Sequence, residues 1–339
     1  MQSEILAKVI RGGTVESIHR GHFVVIDGGR NLIASAGDPE TVTFLRSAAK
    51  PLQAIPLITS GAADAFEFSE NEIAMACASH SGEAIHIRIA KLMIERIGLS
   101  ESHLRCGAHL PFNEKEAERM QRACEYPTQL HNNCSGKHTA MLALAKHLGA
   151  DLATYEEVDH PVQQAILHAV SVFTETPAGQ IQVGIDGCAA PIFAVRIHAM
   201  AKSFLNLISP PSSFDENLRD AAGRLTRAML NCPDVIGGTD RLDTILMKAA
   251  PGKLISKVGA DGVWLCGILP NEQWPSGLGI ALKVEDGDDM RARPVIGVEI
   301  LRQLGLLSET DLSDVSPMPI KNRRGEIVGK VDPLIDLHL

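Results

Sequence analysis

Arg46-Ser47-Ala48-Ala49-Lys50 places a serine and a lysine three residues apart, a spacing that sets both on one face of a helix. A serine hydroxyl attacks a carbonyl only when a base takes its proton. Lysine serves as that base where burial or a second cation keeps its amine neutral. The tetrapeptide is weak evidence alone, because the chain has 21 serines and 13 lysines, enough for about one Ser-x-x-Lys by chance. On this motif, a solvated serine at a helix start beside a surface lysine stays open as the plain alternative.

Two further segments extend the pattern. Ser79-His80-Ser81 follows a helical run and offers a second hydroxyl-bearing loop. Lys257-Val258-Gly259 lies on a predicted strand, and its glycine is read as letting substrate approach the backbone. Serine and lysine early, a polar triplet in the helical region and Lys-x-Gly on a late strand is the order found in penicillin-recognising serine enzymes. The middle element here is Ser-His-Ser in place of Ser-Asp-Asn, and the last is Lys-Val-Gly in place of Lys-Thr-Gly. These departures count against β-lactam chemistry itself.

A separate constellation suits a metal ion. Cys134 lies three residues before Lys137 and four before His138, in Asn132-Asn133-Cys134-Ser135-Gly136-Lys137-His138, and Asp186-Gly187-Cys188 follows a predicted strand. Two thiolates, a carboxylate and a nitrogen donor are a zinc-type set. From chemistry alone His138 is the preferred nitrogen, since a lysine must lose its proton to coordinate. Buried free cysteines, or a Cys134–Cys188 disulfide, remain as alternatives. The other five cysteines, Cys77, Cys106, Cys124, Cys232 and Cys266, read as core packing. Most histidines, including His86, His109 and His168, read as structural or surface groups, and Gly237–Arg241 reads as a turn into a capped helix, with Arg241 and Asp243 as possible pocket residues.

The elements that must hold these residues are strand-rich at both ends and helix-rich between. Strands are predicted on either side of Gly12-Gly13, at Phe23–Asp27, at Ile181–Ile185, at Leu254–Val258, over 262–269 and over 279–284, with a closing hairpin around Arg324-Gly325. Helical spacing is predicted from about Asp38 to Ile58, interrupted at Pro51 and Pro56, over much of 70–175, over Ala189–Leu207, around Leu218–Leu230 and Leu242–Ala250, and near Val295–Leu306. Segregated elements of this kind predict an α+β fold: an antiparallel sheet built from both termini, with a helical insertion. The expected division is 1–60 with 180–339 for the sheet domain and 61–179 for the helical one.

Composition bounds the function. The chain has 339 residues and a net charge of −9, with no basic run, so nucleic acid is an unlikely partner class. No stretch has the length and apolarity of a membrane span. Glu4, Lys8 and Arg11 interrupt the apolar N-terminal residues, so no signal peptide is read there. Seven scattered cysteines do not make a disulfide framework, and a cytoplasmic location is the expectation.

Taken together, Arg46–Pro51, Cys77–Glu83, Asn133–His138, Gly184–Cys188 and Lys257–Gly262 resemble the thermolabile, rhizobial-type L-asparaginases over nearly the whole chain. The resemblance implies a fold similar to serine β-lactamases and glutaminases, and a homodimer. It implies two serine–lysine pairs, Ser47–Lys50 and Ser79–Lys257, with Arg46 and His80 binding substrate. It also implies one zinc ion held by Cys134, Lys137, Asp186 and Cys188, which displaces the preference for His138. The reaction implied is hydrolysis of the side-chain amide of L-asparagine to L-aspartate and ammonia. A glutaminase or other small amidase, a β-lactam-reactive protein and a non-catalytic amino-acid sensor are the alternatives.

Overall fold

A computed structural model describes residues 2–339. The chain divides into two compact units, one formed by Met1–Ala48, Val195–Leu205 and Leu246–Leu339, the other by Ala49–Ala194 and Asn206–Ile245.

The first unit is built on an eight-stranded antiparallel sheet. Its main path runs Met318–Lys321, Ile327–Pro333, Glu4–Arg11, Thr14–Asp27, Leu278–Val284, Val263–Ile268 and Leu254–Val258, and Leu32–Ala36 pairs with Thr14–Asp27. The two ends of the sequence therefore meet in one sheet, with Val9 opposite Val331. Gly12 and Gly13 both have positive φ, 54° and 86°, which lets the chain reverse tightly between its first two strands. Every residue of Leu254–Val258 and Val263–Ile268 is buried, as expected of strands covered on both faces. Helix Ala292–Gln303 packs on this sheet, and Gly297 lies against the Trp264 ring. The Trp264 indole N–H donates to Ser256 Oγ at 2.9 Å, so its one polar atom is satisfied inside the core.

The second unit is mainly helical, with Lys50–Thr59, Glu70–Ala76, Ala84–Arg96, Ser135–His147, Pro161–Thr174 and Glu216–Asn231 as its longer helices, and a hairpin of Gln182–Ile185 with Pro191–Arg196. Helix Ser135–His147 is buried along almost its whole length. It comes so close to Glu70–Ala76 that a Cβ on Gly136 would lie 2.2 Å from the Met75 carbonyl oxygen.

Four sequence expectations change. The stretch from Asp38 is not helical at first: Val42–Phe44 is a strand and Arg46–Ala49 a 3-10 turn, before helix Lys50–Thr59. Pro51 does not interrupt that helix but occupies its first turn, where its missing N–H costs nothing. The run from Ala189 begins as strand Pro191–Arg196 and becomes helical only at Ile197–Ile208. Finally, Val15–His19 and Phe23–Asp27 are parts of one long strand, Thr14–Asp27. Among the described residues, no helix is long and apolar enough to cross a membrane.

Candidate active site

In the sheet unit, the turn carrying Ser47 is fastened to the strand end that carries Lys257. Lys257 is 0% exposed, and its Nζ donates to the Val258 carbonyl at 3.4 Å. Just past the strand, a Cβ on Gly259 would lie 2.6 Å from the Leu45 carbonyl oxygen and 2.9 Å from Val263 Cβ. The glycine is thus demanded by the chain's own backbone, a need separate from any part in the approach of substrate. Arg46 closes the same junction by an ion pair with Asp261. Its φ is +50°, a left-handed conformation that costs a non-glycine residue about 1 kcal/mol or more. The sharp change of course between strand Val42–Phe44 and the turn bearing Ser47 is made there.

In the helical unit, Lys50 is 1% exposed, so the surface-lysine alternative is excluded. Its Nζ donates to the Ala78 carbonyl at 2.7 Å and to the Asn133 carbonyl at 3.1 Å. Burial pushes its pKa down and Lys137 adds to that, while the thiols of Cys134 and Cys188 act in the opposite sense. A buried amine held by two neutral carbonyls is better suited to losing its proton than one paired with a carboxylate.

Ser79 follows one of those carbonyls in sequence. It is buried, its backbone N–H donates to the Ile236 carbonyl at 2.9 Å, and its Oγ accepts from Asn133 Nδ2 at 2.9 Å. Glu83 secures the loop, accepting from the Ser81 hydroxyl at 2.7 Å and from the Thr239 N–H at 2.7 Å. Burial raises the Glu83 pKa, but the donors from Ser81 and Thr239 outweigh it and hold the carboxyl below its ordinary value. His80 Nδ1 accepts from the Gly82 N–H at 3.2 Å, which leaves Nε2 to donate to Ser135 Oγ at 2.9 Å. Both nitrogens of His80 are thereby engaged by protein groups. Burial, and after it the charges of His86 and Lys50, push its pKa well down, so the ring is neutral.

The proposed metal donors also gather in this unit. Lys137 Nζ lies 3.0 Å from Cys188 Sγ, and Cys188 Sγ lies 3.9 Å from Asp186 Oδ2. Cys134 Sγ donates to Asn133 Oδ1 at 3.6 Å and interacts with Cys188, and all seven cysteines are free. Of the five cysteines assigned to packing, Cys77, Cys106 and Cys266 are buried, whereas Cys124 is exposed and Cys232 half-buried. Cys134 and then Lys137 push the pKa of Cys188 down against its burial, while burial pushes that of Lys137 down and the sulfurs of Cys188 and Cys134 more than reverse it. Among the described residues, no three His, Cys, Asp or Glu side chains group closely enough to hold a metal, and this includes Cys134, Asp186 and Cys188.

His138 has a different task. Tyr155 Oη accepts the Arg105 N–H at 2.9 Å and shares a hydrogen bond of 2.7 Å with His138 Nδ1. The other nitrogen is Nε2. It is fully buried, has no partner of ordinary hydrogen-bond geometry, and interacts with the Cys188 sulfur. Its buried Nε2 thus lies beside the donors proposed for the metal. By type, two sulfurs, one carboxylate and one amine are donors that zinc accepts.

Three residues without an assigned role emerge beside these. Asn133 touches both Lys50 and Ser79, His109 touches Asn133, and Glu83 ties down the Ser79 loop. Asn133 supplies in space the amide that Ser79-His80-Ser81 lacks in sequence. It is 54 positions from Ser79, and nothing in the spacing links them.

Comparison with known proteins gives the arrangement a family. Among solved structures, a probable glutaminase from Bacillus subtilis, complexed with 6-diazo-5-oxo-L-norleucine, is 14% identical; the alignment covers 85% of each chain with a TM-score of 0.43. A β-lactamase from Burkholderia ambifaria is also 14% identical, covering 83% of this chain and 95% of that one, with a TM-score of 0.39. No curated protein sequence matches the chain. The L-asparaginase II family, in contrast, matches residues 7–333. With Ser47, Lys50, Ser79 and Lys257 all lying inside a match of that length, the chain belongs to the L-asparaginase II family and is an amidohydrolase.

Proposed function

We propose that the protein is an L-asparaginase working through serine–lysine chemistry. The observation that carries the reading is Lys50: a buried amine that donates to two backbone carbonyls and, among the described residues, to no carboxylate. Ser47 Oγ attacks the side-chain amide carbon while Lys50 takes the hydroxyl proton. Collapse of the tetrahedral intermediate breaks the C–N bond, and the Ser79–Lys257 pair delivers a proton to the departing ammonia. Water then cleaves the acyl-serine to give aspartate and free enzyme. Asn133 supports this division of labour. An amide N–H held on Ser79 Oγ fixes the orientation of that hydroxyl, as a proton relay requires.

One zinc ion per chain belongs to the same proposal, held by Cys134, Lys137, Asp186 and Cys188. With four protein donors it would tie the start of helix Ser135–His147 to the Asp186–Cys188 loop, leaving no position for a metal-bound hydroxide. A homodimer and a cytoplasmic location are proposed with it.

Ammonia release from L-asparagine and from L-glutamine, measured for the wild type and for Ser47→Ala, tests the reading. Release from asparagine that falls by several orders of magnitude in the variant is expected. Full activity in Ser47→Ala moves the nucleophile to another residue. Preference for glutamine makes the protein a glutaminase, and tight asparagine binding without turnover makes it a sensor.

A further inference from the structure

The segment from His109 to Asn113 belongs to none of the motifs above, yet it is clamped to the Ser79 loop. The Asn113 N–H donates to the Ser81 carbonyl at 2.9 Å, and Asn113 Nδ2 donates to Glu83 Oε1 at 3.2 Å. Pro111 lies against Gly82, within 3.0 Å of where a Cβ would stand. At the start of this segment His109 Nδ1 donates to the Leu110 carbonyl at 2.7 Å, which fixes the tautomer and leaves Nε2 as an acceptor. That acceptor receives the backbone N–H of Asn133 at 3.0 Å. The ring is held from behind by Phe112, stacked at 4.8 Å, over which Arg241 lies at 5.5 Å from the ring centroid.

Asn133 in turn gives its carbonyl to Lys50 and its side-chain amide to Ser79. We propose that His109 is a positioning residue for Ser79 and Lys50, acting through Asn133. It holds the peptide before the Asn133 Cα by its N–H while Lys50 holds the peptide after it by its carbonyl, so both flanks of Asn133 are fixed and its side-chain amide is aimed at Ser79. The inference rests on the proposed roles of Ser79 and Lys50, and makes Asn133 the group through which they are kept in register. It also gives the fold a use for a half-buried histidine that looks like a surface group in the sequence.

The test compares His109→Gln, whose side-chain oxygen can still accept the Asn133 N–H, with His109→Leu, which cannot. Loss of one such hydrogen bond predicts a kcat for amide hydrolysis about ten- to thirtyfold lower in His109→Leu. KM stays within about twofold, and His109→Gln recovers most of the rate. A residue that only packs its loop would lower thermal stability in both variants without that rescue. Crystal structures of both variants provide an arm independent of activity: Asn133 Nδ2 leaves Ser79 Oγ in His109→Leu and stays in His109→Gln. An unchanged Asn133–Ser79 contact in His109→Leu, or equal rates in the two variants, overturns the proposal. A wild type that hydrolyses neither asparagine nor glutamine overturns the functional reading instead, and the crystallographic arm still decides the role of His109.

Discussion

Gly259→Ala is the substitution whose consequence can be worked most directly. The added Cβ would stand 2.6 Å from the Leu45 carbonyl oxygen and 2.9 Å from Val263 Cβ, and ordinary contact begins at 3.4 Å. Relief therefore requires about 0.8 Å of movement, taken as 3.4 minus 2.6. Leu45 is 0% exposed, so its backbone has no open space to retreat into. Overpacking of this kind costs about 1–3 kcal/mol. The displaced backbone leads within two residues to Ser47, and a nucleophile misplaced by about 1 Å loses roughly 100-fold in rate. Urea denaturation and steady-state kinetics with asparagine provide the assay. The expected result is a lower kcat together with a lower midpoint. If the glycine instead serves substrate approach, KM rises and stability is unchanged. A variant with wild-type stability and wild-type kcat refutes the packing argument altogether.

Lys50→Met should lower kcat by about a thousandfold or more while leaving a folded protein by circular dichroism, because the buried charge removed offsets the two carbonyls left without a donor; activity within tenfold of wild type removes Lys50 from the chemistry. Protein purified without added metal should carry about one zinc per chain by elemental analysis, and Cys188→Ser should carry almost none; metal-free wild-type protein with full activity ends the zinc proposal. Glu83 is held below its ordinary value of 4.5, so its contribution to stability is present above that pH and is lost as pH falls through the folded value. Glu83→Gln should accordingly be less stable at neutral pH and show a shallower acid transition; superimposable acid-unfolding curves for the two proteins would contradict this.

The sheet was legible because its strands announce themselves locally. Apolar runs bounded by Gly12-Gly13 and by Asp286-Gly287 need only their own residues to be recognised, and the final hairpin has its turn at Arg324-Gly325. Val42–Phe44 and Pro191–Arg196 were not legible, for a physical reason. Each is a short apolar strand running into a helical segment, and over so few residues periodicity does not separate a buried strand from a buried helix. The site shows the same boundary between local and non-local information. Ser47 and Lys50 can be read from their spacing, and Cys134 with Lys137 from theirs. His109 reaches Asn133 across 24 positions, Asn133 reaches Ser79 across 54 and Glu83 reaches Thr239 across 156, so no short window of sequence contains those interactions.

One buried amine makes sense of motifs that otherwise look unrelated. Lys50 binds the carbonyls of Ala78 and Asn133, and in both cases the next residue bears the reactive atom: Ser79 with its hydroxyl, Cys134 with its sulfur. A carbonyl fixed in place fixes the peptide plane, and the plane sets where the following Cα–Cβ bond points. Lys50 thus registers the serine loop and the cysteine turn against a common point. Asn133 adds a second link between them by reaching Ser79 Oγ at 2.9 Å from the cysteine side. On this view the proton acceptor of the proposed reaction is also the structural reference for the proposed zinc site. The Lys50→Met protein should for that reason be assayed for zinc as well as for rate. Loss of rate with zinc retained confines Lys50 to proton transfer, whereas loss of both shows that one side chain keeps the two sites in register.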